Sequence, residues 1–312
     1  MEDLGMSKIA FVYPGQGVQT IGMGKDFYEQ SDISKAVYEK ADKVLDFSVS
    51  DICFEENEKI NNTEYTQAAL VTTYIAITEE IKSRNIRPDV TAGLSLGEYA
   101  ALVAAGGMTA ENAIKVVRQR GIFINRAVPE GEGTMAAVLG MTADEIDSAI
   151  AEIRDVSVAN YNCPGQIVIT GKKQAVYDAM KVLEEAGARR CVELNVSGPF
   201  HSEFLTEAGA QLAEVLKEVS LQSLNVPYVT NVTGEYVTDI KDTKELLKKQ
   251  VYSSVRWEQS VRNMIENGVD TFVEIGPGKT IAGFLRKIDK TVSCINISKY
   301  EDLEKLEGIK TC

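Results

Sequence analysis

The pentapeptide Gly93-Leu94-Ser95-Leu96-Gly97 constrains the fold more than any other feature of this chain. It follows a short strand-type run at 90–92 and opens a helix-type run at 96–105. A Gly-x-Ser-x-Gly pattern between strand and helix is typical of a nucleophile elbow, a sharp turn that lifts a serine hydroxyl clear of a sheet. The same string occurs by chance in loops, so the prediction depends on this context.

Strand and helix patterns alternate along most of the 312 residues. A buried first strand is predicted at 8–13, and helices are predicted at 33–45 and 64–83. A strand at 271–275, a Gly-Pro-Gly turn and a helix through Lys287 continue the alternation near the end. We therefore expect an α/β protein with a mostly parallel sheet covered by helices.

The pattern changes between residues 128 and 197. The predicted elements there are a strand at 134–139, a helix from the capping box of Thr142 and Glu145 to Ile153, strands at 156–160 and 166–170, a helix at 174–186 and a strand at 190–194. This β-α-β-β-α-β order predicts a ferredoxin-like small domain at 128–197, inserted into a core of residues 1–127 and 198–312. A ligand is expected in the cleft between the two parts.

Composition excludes several classes of function. The net charge of −13 argues against broad nucleic-acid binding, and 44% hydrophobic residues fit a soluble globular protein. The segment 1–5 lacks the start of a secretory signal, and no apolar run is long enough to span a bilayer, so we expect a cytoplasmic protein. Its cysteines, which we interpret as reduced thiols and not as disulfides or a zinc site, are Cys53, Cys163, Cys191, Cys294 and Cys312.

His201 is the only histidine in the chain, so any serine–histidine mechanism must use it. A lone histidine is by default a surface or core residue, but its ordinary pKa suits proton transfer at neutral pH, and Ser95 gives it a partner. No acidic residue stands out to orient the ring. A helix predicted to begin at a capping box of Asp242 and Glu245 should end near Gln250, where one of its last carbonyls could accept the ring N–H.

Two backbone N–H groups are candidates for contact with a ligand. Leu96 follows Ser95 at a helix N-terminus, where a free N–H favours a developing negative charge. Gln16 lies in the turn Pro14-Gly15-Gln16-Gly17, which exposes its N–H at the carboxyl end of the first strand. Sites of α/β proteins gather at that edge of the sheet.

Arg120 is predicted to lie on an apolar stripe. Its helix begins near Thr109, and the apolar residues at three- and four-residue spacings are Ala113, Val116, Val117 and Ile124. Three interpretations remain open: an internal salt bridge, a snorkelling surface arginine, or a clamp on a substrate carboxylate. Arg118, roughly 200° away around the helix, should point elsewhere.

With these residues in view, the chain resembles the malonyl-CoA:acyl carrier protein transacylases of fatty acid synthesis over nearly its whole length. The matching segments are PGQGVQ at 14–19, GLSLGEY at 93–99, RG at 120–121, VANYNCPGQIVITG at 158–171, GPFHS at 198–202, QVYSSVRW at 250–257 and EIGPGK at 274–279. Seven matches in order are far more specific than the elbow alone.

The resemblance implies a fold with an α/β-hydrolase-like core and a ferredoxin-like insertion, and a ping-pong transfer of malonyl to an acyl carrier protein. The roles it implies are nucleophile for Ser95, general base and acid for His201, carbonyl partner of the histidine for Gln250, oxyanion N–H groups for Gln16 and Leu96, malonyl carboxylate binding for Arg120, and preference for malonyl for Phe200. It implies no cofactor or metal beyond the CoA and phosphopantetheine thioesters that serve as substrates. We also expect a monomer.

Several alternatives remain. A polyketide-type acyltransferase would load another carrier, a serine thioesterase or esterase would hydrolyse the acyl-enzyme, and a non-catalytic module would only bind a carrier. Asn160 and Asn162 either line the cleft or close a strand turn, and we favour the turn. Because carrier proteins are acidic, the candidate docking contacts are basic: Lys172, Lys173, Arg189, Arg190, Lys279, Arg286 and Lys287.

Overall fold

The computed structural model describes residues 7–129, 131–196, 198–307 and 309, so the segment 1–5 and Cys312 lie outside it. The strands are β1 (Ile9–Tyr13), β2 (Val90–Gly93), β3 (Gly133–Leu139), β4 (Val156–Cys163), β5 (Gln166–Lys172), β6 (Arg190–Glu193), β7 (Tyr228–Val229), β8 (Tyr236–Val237), β9 (Thr271–Ile275) and β10 (Ser293–Ile297). The helices are α1 (Lys25–Gln30), α2 (Asp32–Val44), α3 (Val49–Phe54), α4 (Thr63–Ser83), α5 (Gly97–Ala104), α6 (Ala110–Ala127), α7 (Ala143–Ile150), α8 (Lys173–Glu185), α9 (Thr206–Lys217), α10 (Thr243–Gln250), α11 (Trp257–Glu266) and α12 (Thr280–Ile288).

The larger sheet has six strands in the spatial order β10-β9-β1-β2-β7-β8. Neighbouring strands pair in parallel, except for the antiparallel edge pair of β7 and β8. Side chains of β1 alternate between two cores: Ile9, Phe11 and Tyr13 pack with α4, whereas Ala10 and Val12 pack with α11 and α12. Burial on both faces explains why the central strands are continuously apolar in sequence. The predicted mostly parallel sheet is confirmed.

The smaller sheet is antiparallel, with the order β4-β5-β3-β6. Its elements follow the predicted β-α-β-β-α-β order, and the predicted capping box of Thr142 and Glu145 is present at the start of α7. Helices α7 and α8 pack on one face of this sheet, while Met135, Ala159 and Val168 on the other face pack against Phe200. The smaller sheet therefore presents its second face toward the residues around His201.

A short backbone pairing joins the smaller sheet to the segment that follows α10. The N–H of Val255 donates to the carbonyl of Ala159 at 2.8 Å, and the N–H of Tyr161 donates to the carbonyl of Val255 at 2.9 Å. The Ser254 hydroxyl adds a 2.6 Å bond to the carbonyl of Val158. Because β4 is the edge strand of the smaller sheet, this pairing fixes its position against the segment that follows α10.

Some predicted boundaries were wrong. The capping box of Asp242 and Glu245 does not form, because a 3₁₀ turn (Ile240–Asp242) precedes α10, and Asp239 caps that turn through the N–H of Lys241 at 3.1 Å. The sequence pattern also predicts one helix at 203–219 after His201, and the structure divides it into a 3₁₀ turn (Glu203–Leu205) and α9. In the described ranges, no helix is long and apolar enough to cross a lipid bilayer.

Candidate active site

Ser95 lies in a tight turn between β2 and α5. Its φ of 52° falls in the left-handed region that side chains rarely adopt. A Cβ atom on Gly93 would lie 1.9 Å from the carbonyl carbon of Gly97, and one on Gly97 would lie 2.3 Å from the carbonyl oxygen of Tyr13. The two glycines are thus required by close backbone approach, as the elbow pattern predicts.

Asn231, which no sequence pattern predicts as a site residue, holds this turn from the segment after β7. Its Oδ1 accepts the Ser95 N–H at 2.5 Å, and its Nδ2 donates to the Gly93 carbonyl at 2.6 Å. The two bonded atoms, the Ser95 N–H and the Gly93 carbonyl, both belong to the turn that leads into the strained residue, so Asn231 stabilises the elbow conformation. In the sequence, Asn231 lies in an Asn-x-Thr-Gly pattern, which predicts a turn but does not predict a contact with the elbow.

His201 meets Ser95 across 106 positions of sequence. Its Nε2 lies 2.7 Å from the Ser95 hydroxyl, and its Nδ1 lies 2.9 Å from the backbone carbonyl of Gln250. A carbonyl only accepts, so Nδ1 carries the proton and Nε2 is free to accept the serine O–H. Burial, and secondly the Arg120 charge, lower the histidine pKa to about 4, which keeps the ring neutral at pH 7. The predicted contact with the end of α10 is present and involves Gln250.

Arg120 points inward from α6 and is 3% exposed. Its Nη1 donates to Gln67 Oε1 at 2.9 Å, and its Nη2 donates to Gln250 Oε1 at 3.1 Å and to the Ser95 hydroxyl at 3.4 Å. Among the described residues it has no ion pair within 4.0 Å, so the salt-bridge and snorkelling interpretations are both wrong. Arg118 points elsewhere, as predicted, toward Asp46 and Glu64.

Six of the seven predicted site residues line one small cavity of about 30 Å³. Its lining includes Ser95, His201 and Arg120 together with the remaining predicted residues Gln16, Leu96 and Phe200. Gln250 contacts three of these residues through its carbonyl and its side chain. A second cavity, of about 540 Å³, opens on the other side of His201 between β4 and the segment 252–256. The structure therefore brings all seven predicted residues together at the junction of the two sheets.

Asn160 and Asn162 lie within β4, and neither lines the two cavities that contact His201. Asn160 forms a parallel bridge with Val255, and Asn162 falls at a register irregularity just before the turn into β5. In the part of the chain described, no group of three or more His, Cys, Asp or Glu side chains could hold a metal ion.

Two further buried residues near the site were missed. Gln67 on α4 accepts from Arg120, and Glu98 on α5 is 0% exposed and contacts the Gln250 side chain at 2.7 Å. Glu98 gave a usable signal, because it is the one charged residue of the apolar helix α5. Gln67 gave none, since glutamine is common on exposed helix faces.

This geometry occurs in a chain that is similar to known proteins. The sequence-family model of the acyl transferase domain matches residues 10–301 of the chain. A malonyl CoA-acyl carrier protein transacylase of Bacillus subtilis is 46% identical over 304 residues, covering 96% of both chains. The structure of a transacylase of the same name from Clostridium perfringens superimposes with a TM-score of 0.93 at 40% identity, covering 96% of both chains. A malonyl-transacylase solved in complex with a type II PKS acyl-carrier protein is 34% identical, with a TM-score of 0.93 over 96% of this chain and 98% of its own.

Proposed function

The chain belongs to the acyl transferase family, and from this premise we propose that it transfers malonyl from malonyl-CoA to the phosphopantetheine thiol of an acyl carrier protein. The intermediate is a malonyl ester of Ser95, and the reaction supplies fatty acid synthesis. The observation that carries this proposal is the hydrogen-bonded series Ser95–His201–Gln250, with distances of 2.7 and 2.9 Å, beside the cation of Arg120.

In the first half-reaction, neutral His201 takes the Ser95 proton as Oγ attacks the thioester carbonyl. The N–H groups of Gln16 and Leu96 hold the oxyanion. The carbon–sulfur bond then breaks, CoA leaves as a thiol with the proton from His201, and malonyl remains on Ser95. Arg120 binds the free carboxylate of malonyl as a charge-assisted pair.

The second half-reaction reverses these steps with a different thiol. His201 takes the proton of the carrier's phosphopantetheine thiol as its sulfur attacks the malonyl-serine ester. The ester bond breaks, Ser95 recovers its proton from His201, and malonyl leaves on the carrier. These steps change no oxidation state and move protons only between His201 and the reacting sulfur and oxygen atoms, so the proposal includes no cofactor or metal.

The comparisons do not favour the alternatives. Relatives covering 96% of the chain are named malonyl CoA-acyl carrier protein transacylases, which argues against a thioesterase or an esterase and does not favour a polyketide-type enzyme. The finer fold assignment remains part of the proposal: an α/β-hydrolase-like core at 1–127 and 198–312, with a ferredoxin-like insertion at 128–197. The strand order β4-β5-β3-β6, which places the first and third strands of the insertion at its centre, supports it.

The test is covalent labelling followed by intact mass measurement. Wild-type protein mixed with malonyl-CoA should gain one malonyl group, and holo carrier protein should then remove it. Ser95→Ala should not be labelled. Ser202→Ala, which changes the buried serine that follows His201 in the sequence, should retain the label. A stable malonyl adduct on Ser95→Ala would remove Ser95 from its role, and rapid loss of malonate without carrier would favour a hydrolase.

A further inference from the structure

Glu98 is a buried carboxylate for which the mechanism above has no use. It lies in the first turn of α5, three residues after Ser95, and is 0% exposed. Its Oε2 accepts from Gln250 Nε2 at 2.7 Å and from the backbone N–H of Asn231 at 3.2 Å. Its Oε1 has no hydrogen bond of standard geometry in the described residues, but the nearby Thr230 hydroxyl is among the groups that oppose the raising of the Glu98 pKa by burial. A buried carboxylate with so few donors is costly to the fold, so its position calls for an explanation.

The side-chain amide of Gln250 connects Glu98 to Arg120. Its Nε2 donates one proton to Glu98 and the other to the Ser95 carbonyl, at 2.7 and 2.8 Å, and its Oε1 accepts from Arg120 at 3.1 Å. With Glu98 ionised, all three contacts would be lost if the amide were turned over, because the carboxylate and the Ser95 carbonyl only accept and a guanidinium only donates. Burial raises the pKa of Glu98 to about 7, so the ionised form is the one present above that pH. Glu98 therefore helps to determine which end of the amide faces Arg120.

Neutral amides hold the Arg120 guanidinium on two sides. Gln67 and Gln250 each accept one bond, and the ring of Tyr99 lies 5.7 Å below it. Neither amide neutralises the cation, so its charge remains available to a substrate carboxylate. Glu98 attracts Arg120 from beyond Gln250, and it is among the groups that oppose the lowering of the arginine pKa by burial. A direct salt bridge would instead occupy the guanidinium.

We propose that Glu98 is a positioning residue that fixes the orientation of the Gln250 amide. The Gln250 amide in turn fixes the position of the Arg120 guanidinium, and this position determines the preference for a malonyl over an acetyl group. This inference rests on the proposed function, because it assumes that Arg120 binds the malonyl carboxylate. Acetyl has no carboxylate, so its transfer should depend little on where the guanidinium lies.

The first measurement is the ratio of kcat/KM for malonyl-CoA to that for acetyl-CoA. Glu98→Gln should lower this ratio about tenfold, the size typical of coupled buried contacts. The ratio does not depend on how much of the preparation is folded, because the same sites act on both substrates. The matched control is Glu274→Gln, which removes another fully buried carboxylate whose partners are N–H groups of α12. It should leave the ratio unchanged.

A double-mutant cycle tests whether Glu98 acts through Gln250. Gln250→Ala removes the amide but keeps the backbone carbonyl that accepts from His201, so it should lower the same ratio. Adding Glu98→Gln to Gln250→Ala should change the ratio less than about twofold, since the connecting group is already gone. The proposal is overturned if Glu98→Gln lowers both activities equally, or if its full effect persists without the Gln250 side chain.

Failure of this inference and failure of the proposed function give different results. If wild-type protein forms no malonyl-Ser95, or shows no preference for malonyl, then the function itself fails. If wild-type protein shows both and the Gln250→Ala ratio is unchanged, then only the positioning role fails. That second outcome is decisive even where Glu98→Gln yields no soluble protein.

Discussion

The histidine of this site is oriented by a peptide carbonyl and not by a carboxylate. The Gln250 carbonyl fixes the ring and its tautomer, but it offers only a partial negative charge to a protonated ring. Arg120 is nearby, and its charge is the second cause of the low histidine pKa, after burial. A malonyl carboxylate bound to Arg120 would offset that charge, so a malonyl substrate should make His201 a better base at the moment of attack.

The pH dependence of the reaction tests this account of His201. Only the neutral ring can take the serine proton, so kcat/KM should fall on the acid side as the free enzyme protonates. With the pKa lowered from 6.5 to about 4, the activity should hold well below pH 6.5. In Arg120→Ala, assayed with acetyl-CoA, the loss of the neighbouring cation should raise the His201 pKa, so the fall of kcat/KM on the acid side should begin at higher pH. A wild-type kcat/KM that already fell at the ordinary histidine pKa would contradict the burial argument.

Arg120→Ala should separate binding of the carboxylate from acyl transfer itself. We expect kcat/KM for malonyl-CoA to fall at least about a hundredfold, the cost of leaving one partner of a buried charge pair alone. Acetyl transfer should stay level or rise. The control is Arg118→Ala, which removes a buried arginine two positions away that contacts Asp46 and Glu64 outside the cavity. Malonyl preference that survived in Arg120→Ala would refute the clamp.

At the scale of elements, the elbow depends on how closely β2, α5 and β1 approach one another. Gly97→Ala would place a methyl group 2.3 Å from the Tyr13 carbonyl, so the start of α5 must shift. We expect a loss of about 3 kcal/mol or more in the free energy of unfolding, at the upper end of overpacking costs, together with loss of Ser95 labelling. Urea unfolding monitored by circular dichroism measures the first, and intact mass measures the second.

The same substitution elsewhere serves as the control for Gly97→Ala. Gly283 lies inside α12 with open space where its Cβ would be. Gly283→Ala should therefore raise the free energy of unfolding by up to about 1 kcal/mol, because alanine is the better helix former. A Gly97→Ala protein as stable as Gly283→Ala would show that the close approach at the elbow is not real.

The long helices and strands of this chain can be predicted from its sequence, whereas the shortest strands cannot. Strands β1, β2 and β9 and helix α4 were predictable because long apolar or periodic runs identify them. The two-residue strands β7 and β8 are too short for any period to show. Motif context led to Ser95 and His201, but Asn231 and Gln67 act through side-chain contacts between residues distant in sequence, which no local pattern encodes.

At the scale of the whole molecule, the proposed binding of an acidic carrier by a chain of net charge −13 requires a local basic surface. A groove of about 680 Å³ beside α12 has such a character, since its charged lining consists of Lys279, Arg286, Lys290 and Lys305 with a single acid, Asp289. Lys305 is paired with Asp302, whereas the other three cations have no ion pair among the described residues. Two of these, Lys279 and Arg286, were predicted docking contacts. Lys172, predicted with them, is instead paired with Asp155 at 2.9 Å on the smaller sheet. We therefore expect the α12 groove to contribute more to carrier binding than Lys172.

Reversing two charges in this groove tests that expectation. The Lys279→Glu/Arg286→Glu double variant should raise the KM for carrier protein about tenfold at low salt, and the effect should shrink as ionic strength rises. The rate of Ser95 malonylation from a malonyl thioester without phosphate groups should not change, because the groove is separate from the cavity that contains Ser95. This donor distinguishes loss of carrier docking from loss of CoA binding.

The control must carry the same change in net charge at another place. Lys217→Glu/Lys244→Glu does so at the adjoining ends of α9 and α10, where the Lys244 ammonium donates to the Lys217 carbonyl. If long-range repulsion from the whole molecule set carrier binding, both double variants would raise the KM equally, since each adds the same negative charge. If the groove makes the contact, only the α12 variant should raise it. Equal effects, or an unchanged KM in the α12 variant, would exclude this groove as the docking surface.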